Sequence, residues 1–145
     1  MGHERPTLKR ILARSFQADP SAPGKARLAL RTLNGGLDPA LANDIRLLVS
    51  ELVTNSFRHT GSALIELEVW SSDEIVRVDV TDHGDGFAAP ASPTPGRASG
   101  WGLFMVDRLA DRWGVDTDGA TRVWFELLRD GAGGDSRHGD LFAAA

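Results

Sequence analysis

The spacing of hydrophobic positions changes period several times along the chain, and each change marks an element. Thr7 to Phe16 mixes apolar and basic residues with weak alternation, which predicts an edge strand. The turn-rich stretch Asp19-Pro20-Ser21-Ala22-Pro23-Gly24 leads into a helical segment in which Ala26, Leu30 and Leu33 recur at helical spacing, ending at Asn34-Gly35-Gly36. A second helix opens with Asp38 as N-cap and Pro39 at its first position. It carries Leu41, Ile45, Leu48 and Leu52 in one narrow stripe and is expected to run to His59, stopping at Gly61.

The period then shortens to two. Ala63, Ile65, Leu67 and Val69 alternate with Glu66 and Glu68, and after Ser71-Ser72-Asp73 the residues Val76, Val78 and Val80 alternate with Arg77 and Asp79, so a β-hairpin is predicted. From Ala88 to Ser99 there are three prolines and no large apolar residue, the composition of a mobile surface loop. A helix is expected to resume near Trp101 with Leu103, Val106 and Ala110 on one side and Gly114 as its end. Val123, Phe125 and Leu127, alternating with Arg122, Trp124 and Glu126, predict a last strand, and the residues beyond Asp130 a disordered tail. This order predicts an α+β, two-layer sandwich, a mostly antiparallel sheet with helices on one face. The expected organisation is an N-terminal segment over 1–15, one domain over 16–129 and a tail over 130–145.

Composition narrows the function classes. At 145 residues, 41% hydrophobic and 25% charged, the chain fits one globular domain with tails. No apolar run approaches the roughly 20 residues of a membrane span, and Met1 to Arg10 lacks the apolar stretch of a signal peptide, which points to the cytoplasm and no membrane partner. Cysteine is absent, so disulfides, thiolate metal sites and a cysteine nucleophile are excluded. A net charge of -4 supplies no basic field for nucleic acid.

Against this background three sets of polar or glycine residues stand out. Glu51 and Asn55 lie about 40° apart on the second helix and flank its apolar stripe, so they point toward the interior. A carboxylate and an amide there need a hydrogen-bonding partner, which a metal-bound polyphosphate and its attacking nucleophile would supply; a boundary position facing water is the alternative. Asp82 continues the parity of Val76, Val78 and Val80 and so faces the core side. There it could accept a hydrogen bond from an amino group such as that of adenine, or cap the turn His83-Gly84-Asp85-Gly86. Gly100-Trp101-Gly102-Leu103 opens a helix after the proline-rich loop, an arrangement that lets backbone amides approach phosphate and that equally serves as a plain hinge.

The order of the three sets carries a resemblance. Glu51-Leu52-Val53-Thr54-Asn55-Ser56-Phe57-Arg58-His59 resembles the N box of the Bergerat-type (GHKL) ATPase and kinase superfamily. Asp82-His83-Gly84-Asp85-Gly86-Phe87 resembles its first glycine box and Gly100-Trp101-Gly102-Leu103 its second. The short length and the run Leu109 to Val115 followed by Val123 to Leu127 look like the anti-sigma-factor serine kinases and small ATP-binding regulatory proteins of actinobacteria. The resemblance implies ATP and Mg²⁺ as ligands. Asn55 would coordinate Mg²⁺, Asp82 would bond the adenine amino group, and Gly84 and Gly86 would shape the adenine pocket. Gly100 and Gly102, with Leu103 closing the box, would let the 88–99 loop act as a lid over the phosphates. Glu51 matches the general base.

One departure concerns the last strand. Many relatives carry an adenine-binding threonine immediately before it, whereas here Arg122 takes that place and Thr121 is one residue earlier. A slip of one residue turns a side chain to the opposite face, so the contact is not carried over to Thr121. His59 is expected to be a helix-end histidine favourable to the dipole, and Trp101, Trp113 and Trp124 are expected to be packing residues. The function implied is a serine/threonine protein kinase that phosphorylates an anti-sigma-factor antagonist and sequesters a sigma factor. The alternative is a non-catalytic, ATP-dependent protein-binding module. Related anti-sigma kinases are dimers, so a homodimer is the assembly the resemblance suggests.

Overall fold

The computed structural model describes residues 7–60, 64–83 and 101–129. β1 (Lys9–Gln17) is followed by α1 (Ala22–Leu30), a 3-10 helix (Arg31–Gly36) and α2 (Pro39–Thr60). Then come β2 (Leu64–Ser71), β3 (Ile75–Asp82), α3 (Trp101–Leu109), β4 (Arg112–Asp116) and β5 (Thr121–Leu128). The strands form one antiparallel sheet in the order β1-β2-β3-β5-β4, so β5 is inserted between β3 and β4.

The local chemistry accounts for the element ends. Asp38 caps α2, its Oδ2 accepting the backbone N–H groups of Ala40 at 3.2 Å and Leu41 at 3.3 Å, with Pro39 at a position that needs no amide donor. The β2–β3 turn is closed by Ser72, whose hydroxyl accepts from the amides of Glu74 and Ile75. The β4–β5 turn uses Gly119 at φ +84°, a conformation that a side chain would strain.

Parity along the strands separates the two faces of the sheet. Leu12, Phe16, Ile65, Leu67, Val69, Val76, Val78, Val80, Val123, Phe125 and Leu127 are buried on one face. There they meet Leu41, Ile45, Leu48, Val49, Leu52 and Val53 of α2, together with Leu103 and Val106 of α3. Phe125 is fully buried at the centre, where truncation to alanine would cost about 3–5 kcal/mol. α2 packs against α1, α3 and β3, the contacts that orient its polar residues.

The structure departs from the sequence pattern in one element. α3 ends at Leu109, and Gly114, expected to terminate it, lies inside β4. Arg112 to Asp116 is a five-residue edge strand in which a Cβ on Gly114 would fall 2.8 Å from the Trp124 ring. Glycine is there to admit the indole across the strand pair, not to stop a helix.

Among the described residues no helix covers the opposite face, which is lined with charge. Asp79 and Glu126 are buried at 5% and 7% exposure, which demands compensation. Arg77 Nε donates to Asp79 Oδ1 at 2.9 Å, and Arg77 Nη1 lies 3.4 Å from Glu126 Oε2. Arg112 reaches Glu126, and the Arg77 guanidinium lies over Trp124 at 4.4 Å. Trp124, expected as a packing residue, thus packs under arginines on this outer face, while Trp113 packs at the core margin and donates to Asp107 at 3.0 Å.

Candidate functional site

α2 ends at Thr60 and β2 begins at Leu64, so the helix C-terminus and the start of β2 share one end of the sheet. Ile65 at that end pairs with Asp82, the last residue of β3, and Asp82 pairs in turn with Thr121, the first residue of β5. Chain connectivity and register thereby bring the C-terminal half of α2 to the strand ends that carry Asp82 and Thr121.

Asn55 lies in that half of α2, 5% exposed, and its Oδ1 has no hydrogen-bond partner among the described residues. Leaving such an acceptor unmade costs about 1–3 kcal/mol, so a native structure retains it where a ligand completes it. Glu51 is half-buried one turn earlier on the same side of the helix. Asp44, 5% exposed and two turns before Glu51, extends the line of polar side chains on the inner side of α2. The sequence stripe contained it, since 44, 48, 51 and 55 follow helical spacing.

Asp82 is 2% exposed and shares the inner face with Val76, Val78 and Val80, as its parity required. Thr121 corrects the sequence reading. It is 7% exposed, in step with Val123, Phe125 and Leu127, and faces Asp82 across the strand pair. Arg122, not Thr121, turns to the outer face. The signal was present in the alternation of β5 itself, which outweighs an offset counted from an expected strand start.

The third component is the start of α3, which packs on α2. Trp101 is its first residue and Gly102 its second, and no acidic residue occupies its first turn, which leaves that turn itself without a negative charge on the positive end of the helix. The Leu103 side chain is 1% exposed within the core. What Leu103 can offer a ligand is its backbone amide. Gly84, Gly86 and Gly100, the 88–99 loop and the 130–145 tail lie outside the described residues, as does the side chain of His59.

A buried acid at a strand end, an inward amide with an open acceptor and a helix N-terminus are the parts of a nucleotide site. A family model described as "Histidine kinase-like ATPase domain" matches residues 16–127. The chain belongs to this family. It is an ATP-binding domain of the GHKL type, with the five-stranded antiparallel sheet and helical layer of that fold. No curated protein sequence shows significant similarity to the chain. Among the described residues of this ATPase domain no helix is long and apolar enough to cross a membrane. Nor do they contain a group of three or more His, Cys, Asp or Glu side chains able to hold a metal ion.

Proposed function

We propose that this domain is an ATP-dependent regulatory serine/threonine protein kinase of the anti-sigma-factor type, acting in the cytoplasm of an actinobacterium. Its substrate would be a hydroxyl on a small anti-sigma-factor antagonist, and its second partner a sigma factor that it sequesters. The observation that carries the kinase reading is the placement of Glu51 one turn from Asn55, an acid beside an inward amide whose acceptor is open.

Asp82 accepts the adenine amino group, with Thr121 beside it on the same face. Asn55 Oδ1 fits a hard cation that takes oxygen ligands and keeps part of its water shell, as Mg²⁺ does. Bound there with the phosphates, Mg²⁺ would supply charge neutralisation on the polyphosphate. Glu51 accepts the proton of the attacking hydroxyl. The hydroxyl oxygen forms a bond to the γ-phosphorus, the bond from that phosphorus to the bridging oxygen breaks, and ADP leaves with the electron pair. The helix amides of α3 after Gly102 stabilise the transferred group. Positioning supplies most of the rate, so Glu51 and the helix start matter through their placement.

The test is a pull-down on the full chain with and without ATP, followed by incubation of each recovered protein with γ-labelled ATP and phosphosite mapping. Transfer to a serine or threonine of a recovered partner, lost in Glu51→Gln, supports the kinase. ATP-dependent capture with no transfer from the wild type overturns it in favour of a non-catalytic binding module.

A further inference from the structure

Asp82 and Thr121 are buried side by side at the very ends of their strands. Asp82 is the last residue of β3 and Thr121 the first of β5, so among the described residues the ladder between these two strands ends at this pair. Just before Thr121 the chain turns through Gly119 at positive φ. Behind the pair, on the outer face, no helix of the described residues packs. That side is instead an open hollow of about 690 Å³ whose lining includes Thr81, Asp116, Thr117, Asp118 and Arg122. Side chains on the outer face can therefore reinforce the spacing that the last ladder pair sets.

One residue behind the pair, Thr81 faces Arg122 across the same two strands, and Arg122 faces Asp116 on β4. Because neighbours along a strand point to opposite faces, Arg122 projects into the hollow directly behind Thr121. Its Nη2 donates to Asp116 Oδ2 at 2.5 Å, and its Nη1 lies 3.7 Å from Asp79 Oδ2. Asp79 is buried and already held on its other oxygen by Arg77. The guanidinium therefore spans three strands, from β4 through β5 to a fixed point on β3. A single exposed ion pair would contribute little, but this one ends on a buried carboxylate within a network. The Asp116 hydrogen bond holds the guanidinium above its ordinary pKa, so the clamp stays charged throughout the working range.

We propose that Arg122 is a positioning residue for base recognition: by clamping β4, β5 and β3 on the outer face it fixes the spacing at which Asp82 and Thr121 meet the adenine edge. This rests on the reading of Asp82 as the acceptor of the adenine amino group. Arg122 touches no nucleotide. Its effect is selective for interactions made at the strand ends, and contacts to the phosphates, which depend on α2 and α3, are independent of it.

The experiment compares calorimetric binding of ATP with that of purine riboside triphosphate, which has the same phosphates and no 6-amino group. It uses the full chain as wild type, Arg122→Ala, Arg122→Lys, Asp116→Asn and Asp82→Asn. Arg122→Ala and Asp116→Asn are expected to weaken ATP about fivefold and leave the analogue within twofold, narrowing the preference for ATP. Arg122→Lys, which keeps the charge, recovers part of it. In the Asp82→Asn background, Arg122→Ala has no further effect on ATP. Asp116→Asn changes one atom of the clamp and serves as the folded control should Arg122→Ala lose its thermal transition. Equal weakening of both nucleotides, or no change in either, in variants that stay folded overturns the positioning role while leaving the Asp82 assignment intact. Undiminished ATP binding in Asp82→Asn overturns the assignment itself, and this inference with it.

Discussion

Asp82 and Thr121 are cross-strand partners at the ends of β3 and β5, both buried and both on the helix-covered face of the sheet. Two polar side chains side by side in an otherwise apolar face would give the proposed adenine site its recognition edge without a loop having to supply it. Asp82→Asn keeps the size of the side chain and replaces one acceptor by a donor. It is expected to weaken ATP about 10- to 100-fold by calorimetry, the range for a hydrogen bond to a charged group. Thr121→Val, which removes only the hydroxyl, should cost less than Asp82→Asn. Equal affinities for wild type and Asp82→Asn would remove Asp82 from the site.

Glu51→Gln keeps the shape of the half-buried side chain and removes its basicity. Phosphoryl transfer is expected to fall at least about 100-fold while ATP affinity stays within twofold. A parallel loss of binding would make Glu51 a ligand-holding group and not a base.

Asn55→Ala removes the buried Oδ1 whose partner the described residues do not supply. The expected outcome is a loss of at least about tenfold in the Mg²⁺-dependent part of ATP affinity, with little change in thermal stability. Chelation of Mg²⁺ should reproduce the wild-type loss and add nothing to the variant. An unchanged Mg²⁺ dependence in Asn55→Ala would exclude it as a metal ligand.

Gly114→Ala tests the packing that the sequence pattern mistook for a helix stop. Its Cβ would sit 2.8 Å from Trp124 atoms, and Arg77 stacked on that ring limits its retreat. A destabilisation of about 1–3 kcal/mol is expected, several degrees in the unfolding midpoint. Trp124→Leu in the same chain should make the alanine tolerable, giving a double variant less destabilised than the sum of the two.

The Asp19 carboxylate accepts the Ser21 hydroxyl at 2.5 Å and the Ser21 backbone N–H at 2.8 Å, and the hydroxyl bond first and the backbone bond second hold its pKa below 3.8. A depressed folded pKa means that this local stabilisation is present above the unfolded value and is lost as pH falls through the folded one. An NMR titration should therefore place its midpoint below 3.8, and Ser21→Ala should raise it. Stability between pH 6 and 8 should not depend on this group.

Much of this molecule is legible along the chain, because period and parity are local properties. The cap at Asp38, the stripe of α2, the β2–β3 hairpin and the inward direction of Asp82 follow from which side chains recur every 3.6 or every two residues. The same parity contained Thr121, which an offset from an expected strand start concealed. Tertiary structure decided what no period contains. Arg112 to Asp116 is too short and too mixed to declare itself a strand, and becomes one because β5 offers it a partner and Gly114 admits Trp124. Asp79 and Glu126 read as exposed alternating charges, yet are buried because arginines of the same and neighbouring strands and one indole close over them. Direction is written in the spacing of residues; adjacency arises from long-range pairing, and adjacency is what set Arg122 behind Thr121.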